Sequence, residues 1–597
     1  MDTAAITSAV HSTIHSAMPS AMSSPTSSPT TVRLTGAQAL VRLLEAEGVP
    51  GAFGIVGGKL APLLFALSQS SIRFVGVRHE ASAPMMAAAV FAATGRVALA
   101  LGEMGPGGLN LAAGAGVAFN NNLAALLVTT NQHRAASYPH RGMFMDMDTR
   151  AVLAPLTKWN AGVHEVQRLP ELVRTAFREA LSGRPGPVHL DIPQDVLAAT
   201  GTWRADEFEL PPERYRAAMG PRPAAEPIAR AAALLQAAKR PLIVAGGGVV
   251  HAGAEGLVRE LGDRFAAPVV PTQMALGVVP TGHTSFIGHG GLIAGAAVIE
   301  AFERADVILA VGCRFSSWMW DEQGPLARPS HTLININIDP AALGAPATHA
   351  VAVWADAKLA LQDLLAALPL RPPATEAGWL ASSRDRRASY DAALAAMARE
   401  TAPTMHPAAL AHAVARALPD GALAVYDGGH TTFWSNDVTP VHAVRTRFHD
   451  PGMSQLGFGL PFALALQWLH PDRPVFNLTG DGAFGFTLQE LDTARRAGLP
   501  VINVIHNNAS WGIIRAGQRK ALDFELGTSL EGTDYAAIAR GFGCHGEVVH
   551  DAGDVAAALA RARASGLPAV LDCRTRFVPH PAMPAFGSMN RFGQATP

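Results

Sequence analysis

Residues 474–508 read PVFNLTGDGAFGFTLQELDTARRAGLPVINVIHNN, and this stretch decides the fold. Pro474 to Thr479 is an apolar run of strand length, and Gly480-Asp481-Gly482 is the turn that leaves it. Thr487-Leu488-Gln489-Glu490 has the form of a capping box, with Thr487 expected to accept from the first-turn N–H groups of a helix. Gly498 and Pro500 stop that helix, and Val501 to Ile505 is the next strand, left by Asn507-Asn508. Two parallel strands joined by a helix end on the same sheet edge, where open α/β folds bind ligands. Asp481 and Asn508 are therefore expected to be neighbours in space.

Their chemistry suits a magnesium ion held against a diphosphate. Magnesium takes hard oxygen ligands in an octahedral array, one or two from protein and the rest from phosphate and water. Asp481 offers a carboxylate, Asn508 an amide carbonyl, and the backbone carbonyl of Ser510 lies nearby in the chain. Gly480 and Gly482 let the backbone approach a phosphate closely. Either piece alone reads equally as an ordinary turn. It is their placement at the ends of successive parallel strands that favours the metal and diphosphate.

Outward from this stretch the chain falls into three α/β blocks. The first runs from about Leu34 to Leu197, with strands near Ile72–Val77, Val97–Leu101 and Ala125–Thr129, and a domain is expected over 32–199. A Pro-, Glu- and Arg-rich linker follows over about 200–225. The second, expected over 226–368, has strands at Pro241–Ala245, Asp306–Val311 and Thr332–Ile338. The third, over 406–580, carries the metal motif and a strand at Ala422–Tyr426. The expected fold class is α/β, with three doubly wound parallel-sheet domains.

Further motifs give the chain a family resemblance. Arg78-His79-Glu80, Gly105-Pro106-Gly107 with Asn110, Pro155-Leu156-Thr157-Lys158 and Leu456-Gly457-Phe458-Gly459-Leu460-Pro461 stand in order around Gly480-Asp481-Gly482 and Asn507-Asn508. Together they resemble the thiamine diphosphate-dependent enzymes, similar to acetolactate synthases and benzaldehyde lyase, from about Thr35 to about Pro579. The resemblance implies pyrimidine-binding, central and diphosphate-binding domains, with thiamine diphosphate and magnesium as cofactors. It implies that Glu80, followed by apolar Ala81, Ala83, Pro84, Met85 and Met86, hydrogen-bonds the pyrimidine N1′ and is catalytic. It puts Leu456 between the two cofactor rings, Gly429 and His430 at the diphosphate with Gly480, Asp481, Gly482, Ala483 and Asn508, and the metal on Asp481, Asn508 and Ser510. Glu80 and Asp481 meet across a subunit interface in that family, so a homodimer or homotetramer is implied.

The implied reaction is decarboxylation and carboligation of a 2-keto acid, acetolactate synthase-like. Phe144, Met145 and Trp511 are the candidate substrate contacts, with Trp434 and Arg515 suggested by position. Met145 replaces a family glutamine and His430 another, while Lys59 stands where benzaldehyde lyase has a histidine. A benzaldehyde lyase-like carboligase, a simple 2-keto acid decarboxylase, and a catalytically silent binding or regulatory relative stay open. FAD in the middle block also stays open. Gly246-Gly247-Gly248, Gly288-His289-Gly290 and Ile338-Asp339 resemble flavin contacts, but Arg314-Phe315-Ser316-Ser317-Trp318 has Trp318 where a second arginine is expected.

Composition excludes several other classes. A length of 597 residues suggests about four domains or three larger ones, and 49 % hydrophobic against 16 % charged residues provides ample core. A net charge of −1 with no basic block argues against nucleic acid, and no run reaches membrane-spanning length. Cys313, Cys544 and Cys573 lack metal-ligand spacing and read as buried thiols. Residues 1–31, rich in Ser, Thr, Ala and Met, read as a disordered tail without the arginines of a presequence or the n-region of a secretory signal, so a cytoplasmic protein is expected.

Overall fold

A computed structural model describes residues 30–137, 139–291, 293–316, 319, 331–344, 348–369 and 375–581. Most of the expected tail, residues 1–29, lies outside the described residues, as does Trp318. The expected strands form because their apolar runs can be covered on both faces, as parallel sheets require. Leu99–Gly102, Leu126–Asn131 and Val307–Val311 are buried at every position.

Three wholly parallel sheets result. The first domain orders Arg73–Gly76, Gly51–Gly54, Leu99–Gly102, Leu126–Asn131, Val188–Pro193 and Trp159–Gly162. The middle domain orders Val269–Pro271, Pro241–Ala245, Val307–Val311, Thr332–Asn337 and Val351–Trp354. The third orders Arg447–His449, Leu423–Asp427, Val475–Gly480, Ile502–Asn507, Ala569–Arg574 and His545–Val549. Helices cover the faces of each sheet, so the chain has three doubly wound α/β domains.

Two local expectations are corrected. Thr31, placed at the end of the tail, starts a strand, Thr31–Thr35, that pairs antiparallel with Thr200–Arg204. The linker therefore begins after Arg204. Its first five residues alternate exposed and buried, with Trp203 turned inward, a period-2 signal too short to stand out among the prolines that follow. Nor does Thr487 cap a helix. Its hydroxyl donates to the Gly457 carbonyl at 2.7 Å, and the helix Glu490–Ala497 has no side-chain cap at Gln489. A tertiary acceptor takes the hydroxyl from the local motif.

The first and third domains pack directly against each other in one continuous hydrophobic core, while the middle domain has its own cores. The apolar helix Gly459–Leu469 presents Trp468 to the first sheet, where a Cβ on Gly51 would come within 2.5 Å of the indole. Phe53 meets that ring edge-on at 5.5 Å, and the Arg73 guanidinium lies 4.0 Å over it.

Candidate active site

Parallel strands of the third domain end together at a pocket of about 290 Å³. Gly429, His430, Leu456, Gly480, Asp481, Gly482, Ala483, Asn508, Ser510 and Trp511 all line it, so the structure gathers the expected cofactor and metal residues of the third domain, with Trp511, in one place. Strand Val475–Gly480 delivers Asp481 to the first position of the short helix Asp481–Phe484, and Ile502–Asn507 delivers Asn508 beside it. Asp481 is 3 % exposed. Its two carboxylate oxygens accept the N–H groups of Gly482 at 3.0 Å and Ser510 at 3.2 Å, and burial still pushes its pKa up to about 6. A carboxylate so poorly compensated suits a divalent cation, which would restore its charged form. Asn508 Oδ1 accepts from the Ser510 N–H and hydroxyl, 3.1 and 3.0 Å away.

The rest of the pocket is closely packed around the Asp481 turn. Any Cβ on Gly482 would strike the Trp511 ring at 2.5 Å, so only glycine lets the indole lie on this turn. His430 is buried, its Nε2 has no hydrogen-bond partner among the described residues, and burial pulls its pKa down to about 3. Leu456 is half-buried at the mouth. Asp427, which the sequence reading missed, fixes the backbone that follows it. One carboxylate oxygen accepts the Gly457 N–H at 3.2 Å and the other the Gly459 N–H at 3.1 Å. Its signal was an acid at a parallel strand end, the same signal as Asp481.

Glu80 lies elsewhere, on the first domain's edge. Asn110 Nδ2 donates to its Oε2 at 3.0 Å, and Oε1 faces Gly107, where a Cβ would come within 3.3 Å. Met145 and Phe144 belong to this half too. Met145 adopts φ 61° with its carbonyl against Gly105, and Phe144 is 84 % exposed. The structure thus brings the candidates together as two half-sites, and Glu80, Phe144 and Met145 do not line the third-domain pocket of their own chain.

Two position-based suggestions, Trp434 and Arg515, change. Trp434 is buried against His406 and His580, at ring distances of 5.4 and 4.5 Å, and lines no part of the pocket. Arg515 is turned to Glu525 at 3.0 Å and to the Phe577 ring. The loop of Lys59 is tied down by Glu103, whose carboxylate accepts the N–H groups of Lys59 at 3.1 Å and Leu60 at 3.3 Å.

A second missed carboxylate supports Glu80 from the third domain. Glu490, fully buried, accepts the N–H groups of Arg78 and His79, each at 3.1 Å, and the Ser82 hydroxyl at 2.8 Å. The capping-box reading concealed it, because it assigned the same residue a local partner.

A separate cavity of about 540 Å³ opens in the middle domain. It lies at the ends of Pro241–Ala245 and Val307–Val311, where the strand order reverses and open sheets leave a crevice. A Cβ on Gly246 would meet the Gly312 carbonyl at 2.2 Å, which explains the glycine turn. Among the described residues, Arg184, Arg314 and Arg445 line this cavity against one carboxylate, Asp356, a balance that suits an extended anion.

Comparison with known proteins assigns these domains. Residues 34–152 match the family model described as thiamine pyrophosphate enzyme, N-terminal TPP binding domain. Residues 228–364 match that of the central domain and 427–573 that of the C-terminal TPP binding domain. The acetolactate synthase isozyme 1 large subunit of Escherichia coli is 33 % identical over 517 residues, covering 86 % of this chain and 88 % of that protein. A probable 2-ketoarginine decarboxylase of Pseudomonas aeruginosa is 34 % identical, with 86 % and 89 % covered. An acetolactate synthase of Mycobacterium bovis is 30 % identical, with 90 % and 88 % covered. No helix among the described residues is long and apolar enough to cross a membrane.

Proposed function

We propose, for a chain that belongs to the thiamine pyrophosphate enzyme family, that it decarboxylates a 2-keto acid and joins the remaining fragment to a second carbonyl compound. The observation that carries this reading is the pocket joining Asp481, Asn508, Ser510 and Leu456. When bound, thiamine diphosphate supplies a nucleophilic carbon and an electron sink for the departing CO₂.

This chain's residues bind and orient it. Asp481, Asn508 and the Ser510 carbonyl would hold magnesium, and Gly429, His430, Gly480, Gly482 and Ala483 would pack around the diphosphate. Leu456, followed by backbone that Asp427 holds, would pack against the cofactor's rings and orient them. Glu80 shares a proton with the pyrimidine nitrogen of a cofactor seated in a second copy, so the active unit is a homodimer or a pair of dimers. Apolar side chains exposed on both halves support that pairing: Val56 and Phe144 on the first domain, Phe486 and Ile514 on the third. The middle cavity takes an anionic nucleotide, of which FAD is one candidate.

Simple decarboxylation is the second reading, favoured by Met145 in place of the family glutamine and by the likeness to a probable 2-ketoarginine decarboxylase. Product analysis by NMR, with thiamine diphosphate, magnesium and pyruvate, separates the two. Acetolactate supports carboligation. Acetaldehyde alone, or turnover of only 5-guanidino-2-oxopentanoate, supports the decarboxylase. No release of CO₂ from either acid overturns both.

A further inference from the structure

The middle cavity and the third-domain pocket share a wall. Pro451 and Gly452 line the first, while Asp450, Ser454, Gln455 and Leu456 line the second. One short segment, 450–456, therefore has a different cavity on each side. Ser454 at φ 53° and Gly457 at φ 84° turn the chain sharply on either side of Leu456.

A buried pair pins this segment to the first domain. Asp450, 2 % exposed, accepts Asn121 Nδ2 at 2.5 Å and the N–H groups of Met453 and Gln455 at 2.9 Å. Asn121 Oδ1 in turn accepts the Gly452 N–H at 3.0 Å. A Cβ on Gly452 would lie 2.5 Å from the Asn120 carbonyl oxygen, so the two strands of chain touch along their backbones. That same carbonyl accepts from Arg314, one of the three arginines of the middle cavity. Asn120 ends the helix Pro106–Asn120, whose first turns carry Asn110, the partner of Glu80.

An anion drawn to Arg314 and packed on Pro451 and Gly452 thus bears on the element that places Leu456. We propose that segment 450–456 is a partition through which an anionic nucleotide in the middle cavity tightens thiamine diphosphate binding, with Asn121 and Asp450 as the positioning residues. This rests on the reading of Leu456 and the third-domain pocket given above. The nucleotide holds the segment in the arrangement the cofactor needs, so the cofactor no longer bears the cost of fixing it. Linkage makes the effect reciprocal, and coupling of this kind is commonly ~5- to 150-fold.

Calorimetric titration of the full chain tests it, with thiamine diphosphate and magnesium added in the absence and presence of saturating FAD, and of ADP in parallel. The expected result is cofactor binding at least about fivefold tighter with either nucleotide bound, and the same factor when the titration is reversed. Asp450→Ala and Asp450→Asn, at a residue outside the middle cavity and each checked for folding by thermal denaturation, should still bind the nucleotide while the factor falls towards one. Nucleotide binding with an unchanged cofactor affinity would overturn the proposal, as would binding of neither nucleotide, or variants that keep the full factor. Failure of thiamine diphosphate to bind under any condition is a separate result, which removes the pocket assignment itself.

Discussion

The first and third domains have the same strand order, six parallel strands each, and use it oppositely. Both repeat one internal bond. In the first, Asn131 at the end of the fourth strand in sequence donates to Asp191 on its neighbour at 2.8 Å; in the third, Asn507 donates to Asp572 at 2.8 Å. The register matches as well, each aspartate standing opposite the residue two before its asparagine. Both also place an acid just past the end of the third strand, Glu103 and Asp481. Here they part. Glu103 is spent on the backbone N–H groups of its own domain's loop, whereas Asp481 is buried with two weak acceptor bonds and a raised pKa. The scaffold fixes where an acid sits, and the loop opposite decides whether it is free to hold a metal.

The largest test of that contrast is Asp481→Ala, which should weaken magnesium-dependent thiamine diphosphate binding by about a thousandfold, since coordination and the diphosphate anchor go together. Titration calorimetry reads it, and an affinity within tenfold of the parent would erase the difference between the two acids. Next comes pH. Asp481 holds its proton more tightly folded, at about 6, than unfolded, near 3.8, so its contribution to ligand-free stability is complete below pH 4 and is lost as pH rises to 6. The loss is about 3 kcal/mol. Urea denaturation across that range, wild type against Asp481→Asn, should show the difference; parallel curves would mean the carboxylate is not strained by burial.

Glu80→Gln should slow exchange of the cofactor C2 proton about a hundredfold while thiamine diphosphate affinity changes less than threefold. Unchanged exchange in a cofactor-loaded variant would return Glu80 to a merely structural place. The smallest effect sharpens what the domains share. Asn131→Ala and Asn507→Ala should each cost about 2 kcal/mol, because each takes one donor from a buried carboxylate, leaving Asp191 to Thr129 and Asp572 to Tyr535 and Arg574. Clearly unequal values would say that the matching register hides different energetics.

Much of this was legible in the sequence because the strands are apolar runs buried on both faces, and because Asp481 and Asn508 leave successive strands. Supports drawn from far along the chain were not legible. Glu490 serves Arg78 and His79 across 412 and 411 residues, and Asn121 finds Asp450 across 329. No local pattern announces such partners. Thr487 shows the converse: a good local motif lost to a carbonyl 30 residues away. Trp434 lies one turn beyond His430, on the same face of the helix Gly429–Val438, yet it packs against His406 and His580 instead of lining the pocket.

The common core of the first and third domains also bears on how such chains can change over generations. Chain leaves the paired domains after Arg204 and rejoins them at the helix Pro407–Ala417, so the middle domain is in effect a passenger between two ends already fastened together. A lineage can remodel that passenger, or trade its guest for another, without unpicking the chemistry beside it. What it must preserve are the contacts by which passenger and machinery still touch, among them Arg314 on the Asn120 carbonyl, Asn436 on Gln273 and Val441 on Thr281.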